Sequence, residues 1–206
     1  IIHQYLANDS DIEVVAFTAN ESYIKEDNFC GLPVVSFEKI ESSYPSSEYQ
    51  MFVAVGYSNL NKKRAGIFEQ AKSKGYKLVS YIHPTVVVVG GFEFGENCFV
   101  FENSVIQPFV KIGDDVIIWS GSLISHNTTI KDHCFIASHV AIAGSSTIEP
   151  YCFLGTNCTL RNGIKIAKDC VIGAGCVILE DTKEKEVFVT RSTAIPNFNR
   201  DLLKDI

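Results

Sequence analysis

The chain has 206 residues, of which 46% are hydrophobic and 20% charged, a composition typical of a folded globular protein of one or two domains. The net charge of −6 provides no basic surface, which argues against a nucleic-acid partner. The longest aliphatic run, residues 86–89, is too short to span a bilayer, and residues 1–5 lack the features of a signal peptide. We therefore expect a cytoplasmic protein with reduced cysteines and no membrane partner.

The first 83 residues alternate between strand and helix patterns. Segments 13–17, 51–56 and 77–82 read as strands, and a helical stretch from about residue 60 ends at Gly75. This order predicts a small parallel-sheet, Rossmann-like α/β domain. Such domains normally begin with a strand, so we expect a further strand before Ile1. Ligands bind at the carboxyl ends of parallel strands, which points to nucleotide contacts at Thr18, Asn20, Gly56 and Asn59.

From residue 94 to residue 178, a large apolar residue recurs at every sixth position without interruption. A period of six fits neither an α-helix nor a hairpin, but it is typical of a β-helix with three short sides per coil. We therefore predict a parallel β-helix over residues 84–182, followed by a C-terminal tail over 183–206. The fifteen residues of the series are Phe94, Val100, Ile106, Ile112, Ile118, Ile124, Ile130, Ile136, Ile142, Ile148, Leu154, Leu160, Ile166, Ile172 and Ile178.

A second inward position is predicted four residues after each of these. It holds small or β-branched residues, as a narrow interior requires, and it includes six of the seven cysteines. We interpret these six as small buried apolar residues rather than as a metal or redox site. They are Cys98, Cys134, Cys152, Cys158, Cys170 and Cys176.

The residues between the short sides are expected to form three corners, each repeating every 18 residues. Corner one is charged and bulky, which predicts a solvent-exposed edge; it runs from Glu96-Asn97 through Asp132-His133 to Lys168-Asp169. Corner two (102–103, 120–121, 138–139, 156–157, 174–175) and corner three (108–109, 126–127, 144–145, 162–163) become small and polar toward the C-terminus. We therefore expect corner three of one subunit to face corner two of the next in a trimer, with a ligand groove between them.

Three histidines lie on the corners, and they are candidates for a general base because an unperturbed imidazole titrates near neutral pH. His126 is the best placed, because Gly144 lies one coil above it and could leave room for a ligand, with Asn127 adjacent. His139 is expected to line the opposite wall of the groove, and His133 to be solvated. Since the three occupy different corners, one chain cannot bring them together on a metal, and we predict no metal site.

The chain resembles the bacterial hexapeptide-repeat acetyltransferases that act on nucleotide-linked amino sugars, which are related to the sialic acid O-acetyltransferases. The resemblance extends over essentially the whole chain. The hexads indicate only the fold, whereas the stretch around His126, combined with a small N-terminal domain, is more specific. The segments that carry it are 31–34, 81–84, the hexads, 124–130, 142–144 and 152–157.

The resemblance implies a trimer of left-handed β-helices in which acetyl-CoA lies between two subunits. It implies that His126 is the general base and that the N-terminal domain holds the nucleotide of the sugar; the position of Asn127 beside His126 is expected to let it orient the ring or the substrate. The family's first strand and glycine-rich turn are absent from this sequence, and some members have an acidic residue where this chain has Asn127. By this resemblance, the residues expected to contact acetyl-CoA are Phe135, Gly144, Thr156 and Ala174. Ser138 and His139 are expected to contact it as well, because they lie on corner two, which forms one wall of the predicted groove.

The leading interpretation is acetyl transfer from acetyl-CoA to a sugar amine by direct attack, for bacterial glycan biosynthesis. O-acetylation of a sugar of the sialic acid type is the alternative, because the same base would serve a hydroxyl group. A non-catalytic trimeric nucleotide-binding scaffold is a more distant alternative, and it requires that His126 be dispensable.

Overall fold

The structure is a computed structural model that describes residues 1–191. The N-terminal part contains two α-helices, two 3-10 helices and a three-stranded sheet in the order β1-β3-β2. Strands β1 and β3 are parallel, while β2 and β3 form an antiparallel hairpin. In chain order these elements are α1 (Ile2–Asp9), β1 (Phe17–Ala19), the first 3-10 helix (Glu21–Tyr23), β2 (Asn28–Phe29), β3 (Leu32–Ser36), the second 3-10 helix (Phe37–Ser42) and α2 (Lys62–Ser73).

The predicted α/β character of the N-terminal domain is confirmed, but its strands are shorter than expected. Segment 51–56 forms one parallel bridge, between Met51 and Leu78, instead of a full strand. The physical reason is that the Val53 N–H donates to the side chain of Asn97, at 2.7 Å, where a strand neighbour would otherwise accept it. Helix α2 ends close to the predicted position, with Gly75 in the left-handed region at a φ of 86°.

The second part of the chain is a parallel β-helix of two-residue strands arranged in three sheets, as the hexads predicted. The first sheet contains β4 (Tyr81–Ile82), β7 (Phe99–Val100), β10 (Ile117–Ile118), β13 (Phe135–Ile136), β16 (Phe153–Leu154), β19 (Val171–Ile172) and β21 (Val187–Phe188). The second contains β5 (Val87–Val88), β8 (Val105–Ile106), β11 (Leu123–Ile124), β14 (Ala141–Ile142), β17 (Thr159–Leu160) and β20 (Val177–Ile178). The third contains β6 (Glu93–Phe94), β9 (Lys111–Ile112), β12 (Thr129–Ile130), β15 (Thr147–Ile148) and β18 (Lys165–Ile166). Strands β4 and β21 extend the first sheet beyond residues 84–182, and residues 192–206 of the predicted tail lie outside the described residues.

The interior of the β-helix follows the six-residue period. Every residue of the aliphatic series from Val100 to Ile178 is at most 5% exposed, and so is every residue of the second inward series. Phe94 is the exception to the prediction, because its ring is 45% exposed in β6, the edge strand of the third sheet. The buried hydroxyls are satisfied by backbone carbonyls, as in the bond of 2.8 Å from Ser146 to Ala143.

The corners are tight turns whose second residue adopts the left-handed conformation. Glycine, asparagine and aspartate tolerate this conformation best, which explains their frequency at these positions. The described corner positions from 97 to 175 all have φ values between 55° and 75°. Because each coil takes 18 residues, equivalent corner residues stack in columns about 4.8 Å apart.

The N-terminal domain packs on the outer surface of the first sheet. Helix α1 and segment 12–14 cover an aromatic layer in which Phe101 and Trp119 stack with ring centroids 4.3 Å apart. This contact removes large apolar surface from water, the main favourable contribution to docking the two parts of the chain.

Corner one is buried under helix α2, so the prediction of a solvent-exposed edge is wrong. Asp115 and Arg64 are 0% exposed and form an ion pair at 2.8 Å. His133, which we expected to be solvated, is 8% exposed, and its Nδ1 lies 2.9 Å from the second Asp115 oxygen. The Asn97 amide also donates to Asp115, at 2.7 Å. Charged residues of this corner therefore contact helix α2, and the repeat pattern gave no sign of this contact.

Replacement of Arg64 by methionine is expected to destabilise the fold by about 3–5 kcal/mol, because it leaves the Asp115 charge buried without its partner. Chemical denaturation with circular dichroism measures this change. Adding Asp115→Asn, which suits the left-handed backbone and removes the charge, is expected to recover part of the loss. A double variant no more stable than Arg64→Met would contradict this account.

Thiol reactivity tests the burial of the cysteine columns. Burial raises the pKa values of Cys98 and Cys158 to about 12, whereas Cys30 is exposed on the β2–β3 turn. We expect one fast-reacting thiol per folded chain with a colorimetric disulfide reagent, none in Cys30→Ser, and seven in the unfolded wild-type chain. Rapid modification of a second thiol in the folded protein would mean that the reagent reaches the interior of the β-helix.

Candidate functional site

The structure places the His126 ring directly against Gly144 of the next coil, so the imidazole occupies the space that we expected this glycine to leave for a ligand. A Cβ atom at residue 144 would lie 2.6 Å from the ring Cε1 and 2.7 Å from Nε2. The His126 backbone N–H donates to the Gln107 side chain at 3.0 Å, which fixes the turn from the coil below. His126 is itself exposed. Only glycine at 144 is compatible with this position of the imidazole.

The Gly144 N–H donates no hydrogen bond among residues 1–191, although Gly144 itself is buried beneath the His126 ring. The neighbouring Ala143 and Ser145 N–H groups, by contrast, donate to the carbonyls of Leu160 and His126. A free N–H beside an imidazole can stabilise an oxygen that becomes negatively charged during a reaction.

The Asn127 amide nitrogen lies 3.0 Å from Nδ1 of His126, and a flip of the amide would bring its oxygen to the same place. The oxygen and nitrogen of an amide are assigned from the hydrogen-bond network, so both orientations are chemically available. If the Asn127 oxygen accepts a hydrogen bond from Nδ1–H, the lone pair of Nε2 is free to take a proton. Asn127 can therefore select the imidazole tautomer that a general base requires.

The predicted residues on corner two form a second, separate group. His139 and Thr156 are exposed, as is Ala174, and Ser138 is half-buried. The His139 ring lies against Gly121 of the preceding coil, so a glycine makes room for a histidine on this corner as well. Together these residues line a strip of mostly small side chains that could accommodate a long, thin ligand such as acetyl-CoA.

Phe135 lies neither beside His126 nor among the exposed residues of corner two. It is 6% exposed and packs between Tyr57 and Phe153, with ring centroids at 5.0 and 5.6 Å. In this chain its side chain belongs to the contact between the N-terminal domain and the first sheet.

A cleft of about 720 Å³ lies in the N-terminal domain. Of the predicted nucleotide-binding residues, Thr18 and Asn20 line it, while Gly56 and Asn59 do not. The Thr18 hydroxyl donates to the Val35 carbonyl at 3.0 Å, and the Asn20 amide donates to Glu38 at 3.1 Å. Hydrogen bonds from Ser36 and Asn20 lower the pKa of Glu38 to about 2, so this carboxylate is ionised beside the cleft.

Sequence reasoning did not identify Glu102 as a functional residue. Its carboxylate accepts hydrogen bonds from Ser120 at 2.8 Å and from Tyr5 at 2.9 Å, and the latter links helix α1 to corner two. Partial burial would raise the pKa of Glu102, but these hydrogen bonds outweigh it and hold the pKa below its ordinary value. The sequence did contain one sign that Glu102 is unusual. It is the charged residue in a column whose other members are Ser120, Ser138, Thr156 and Ala174.

Two further findings concern residues 1–191 as a whole. They contain no group of three or more His, Cys, Asp or Glu side chains arranged to hold a metal ion. No helix in this part of the chain has the length and apolar character needed to cross a membrane.

A sequence profile described as bacterial transferase hexapeptide (six repeats) matches residues 93–126, 110–144 and 145–180. Residues 93–180 are therefore similar to this family. A comparison with curated protein sequences found no match.

Several solved structures resemble three quarters or more of this chain. One is PerB from Caulobacter crescentus in complex with CoA and GDP-perosamine, with 28% identity, a TM-score of 0.72, and coverage of 78% of this chain and 77% of that one. A histidine-to-asparagine variant of the perosamine N-acetyltransferase from the same organism, also with CoA and GDP-perosamine, has 28% identity, a TM-score of 0.71 and coverage of 76% and 74%. The acetyltransferase domain of PglB from Neisseria gonorrhoeae, in complex with acetyl coenzyme A, has 22% identity, a TM-score of 0.76 and coverage of 90% and 86%. The predicted resemblance and the left-handed β-helix are confirmed.

Gly144→Ala is expected to displace the His126 ring, because the added Cβ would fall within 2.6 Å of it. The displacement is measured by the ¹H–¹⁵N signals of the His126 imidazole, which should shift strongly. Gly91→Ala is the matched control, since a Cβ there meets nothing within 4 Å and the signals should remain in place. Unchanged His126 signals in Gly144→Ala would contradict the stacking of the ring on this glycine.

Proposed function

We propose that this protein is an N-acetyltransferase that moves the acetyl group of acetyl-CoA to the amine of a nucleotide-linked amino-deoxysugar for bacterial glycan biosynthesis. The observation that carries the proposal is the His126 imidazole held between Asn127 and Gly144, beside a free backbone N–H. The similarity to structures that contain CoA and GDP-perosamine supports both substrate classes. The buried cysteines suit the reducing cytoplasm, where we place the reaction.

In the proposed mechanism, His126 Nε2 accepts a proton from the sugar amine as the amine nitrogen attacks the thioester carbon. The Gly144 N–H stabilises the negative charge that develops on the carbonyl oxygen. The carbon–sulfur bond then breaks, and the proton held by His126 passes to the departing sulfur, giving the amide and free CoA. No covalent bond to the protein forms, and holding both substrates together supplies much of the rate enhancement.

The predicted binding groups fit one site only if two subunits form it. Gly121 and His126 lie on either side of strand β11, and the five residue-to-residue steps between them extend over about 16 Å at about 3.3 Å per step. His126 of one chain therefore cannot meet corner two of the same chain across a single bound thioester. We place His126 and Gly144 of one subunit opposite Ser138, His139, Thr156 and Ala174 of the next, in a homotrimer.

We place the nucleotide in the cleft of the N-terminal domain. Thr18 and Asn20 line this cleft, and Lys63 adds a cationic side chain that can pair with a phosphate group. Gly56 and Asn59 follow directly after its lining residue Val55, where a ligand extending from the cleft could reach them.

Release of CoA from acetyl-CoA with a panel of nucleotide-linked 3-amino and 4-amino deoxysugars tests the proposal. We expect turnover with at least one sugar and a loss of roughly 10²–10⁴-fold in kcat for His126→Ala, the usual contribution of a general base. If no amino sugar of the panel is turned over but free sugars bearing only hydroxyl groups are, the result would favour O-acetylation. Undiminished turnover in His126→Ala would remove His126 from the mechanism.

The orienting role of Asn127 has a separate test. Asn127→Leu is expected to lower kcat about tenfold, because the imidazole loses the hydrogen bond that selects its tautomer, worth about 1.4 kcal/mol. Asn127→Asp retains an acceptor for Nδ1–H and should keep most of the activity. Equal activity of Asn127→Leu and the wild-type enzyme would contradict this role.

A further inference from the structure

Phe109 occupies a position that is unfavourable in two ways. It is the second residue of a corner, with a left-handed φ of 63°, a conformation that bulky residues rarely adopt. Its side chain is also 71% exposed, so a large apolar ring faces solvent. The other residues of this corner-three column are Asn127, Ser145 and Gly163, which suit the turn. Backbone strain of this kind is concentrated at functional sites.

Packing within the chain explains the comparable residue Tyr151 but not Phe109. Tyr151 has a φ of 62° on corner one, where its ring stacks on His133 with centroids 4.9 Å apart. Lys62 and Lys168 also lie within 6 Å of the Tyr151 ring centroid, at 5.8 and 5.5 Å. Among residues 1–191, by contrast, Phe109 makes no contact with another aromatic ring or with a cation over its face. The fold of one chain therefore gives no reason for an aromatic residue at 109.

The location of Phe109 suggests such a reason. The Asn127 N–H donates to the Pro108 carbonyl at 3.1 Å, so Phe109 lies in the column directly below Asn127. Successive members of a column are about 4.8 Å apart, which places the backbone of Phe109 one coil below that of Asn127, the residue next to His126. On the opposite side of His126 lies Gly144, with its free N–H for the thioester oxygen. An acceptor that reaches the exposed His126 ring from the coil below would pass the exposed side chain of Phe109.

We propose that Phe109 is the surface on which the sugar ring of the acceptor stacks, so that the amine is held at His126 Nε2. This inference rests on the proposed function. The C–H face of a deoxysugar is apolar and packs well on an aromatic ring, and a protonated amine is also attracted to the ring face. The coil imposes the left-handed φ at residue 109 as it does at the other corners, and contact with the acceptor would offset the cost of placing a bulky residue there.

The test compares Phe109→Asn with wild type. Asparagine tolerates the left-handed backbone, so we expect the melting temperature to stay the same or rise. The KM for the nucleotide-linked amino sugar should rise about 3- to 10-fold, the usual worth of an aromatic contact, while the KM for acetyl-CoA stays constant. Phe109→Tyr should retain the wild-type KM. Tyr151→Asn is the matched control and should lower the melting temperature without changing the KM for the acceptor.

Calorimetric titration with the same amino sugar provides a second measurement that does not depend on turnover. If wild type binds the sugar but turns none over, a weaker Kd for Phe109→Asn supports the stacking role while the proposed reaction fails. Equal Kd and KM values in the two proteins overturn the inference and leave the proposed function standing. A lower molar mass of Phe109→Asn in light scattering, with both KM values raised alike, would overturn it too, by making Phe109 a subunit contact.

Discussion

The narrow interior of the β-helix is the constraint on which the rest of the structure depends. Each short side must place one large aliphatic residue and one small residue inside, so the chain keeps a strict period of six and a coil of 18 residues. This register stacks equivalent residues in columns. It is the reason that His126 meets Gly144, that Asp115 meets both Asn97 and His133, and that Phe109 lies below Asn127.

The buried ion pair between Arg64 and Asp115 joins the two parts of the molecule. A buried ion pair is weak evidence of stability, since the cost of desolvation offsets much of the attraction, but it strongly favours one arrangement over others. Here it aligns helix α2 with corner one, while the aromatic layer under helix α1 supplies the apolar contact. The cleft of the N-terminal domain therefore has a fixed position relative to the β-helix.

Corner two meets the N-terminal domain through the hydrogen bond from Tyr5 to Glu102, and corners two and three contain the residues that we propose for the chemistry. Each uses a glycine of an adjacent coil to accommodate a histidine ring, Gly144 for His126 and Gly121 for His139. The distance between the two corners of one chain is too great for a single reaction centre. The two groups of residues that we propose for binding lie on opposite edges of one sheet, which is why the proposed site includes a second subunit.

The sequence by itself determined the β-helix, its register, the burial of six cysteines and the contact of His126 with Gly144, because all of these follow from a local repeat. It did not reveal that corner one is covered, because charged residues look the same whether they face water or a buried partner from a distant helix. Tertiary structure alone decided the pairing of Arg64 with Asp115, the burial of His133 and Phe135, and the link between Tyr5 and Glu102. These contacts join residues that are far apart in the chain, and no periodic pattern records them.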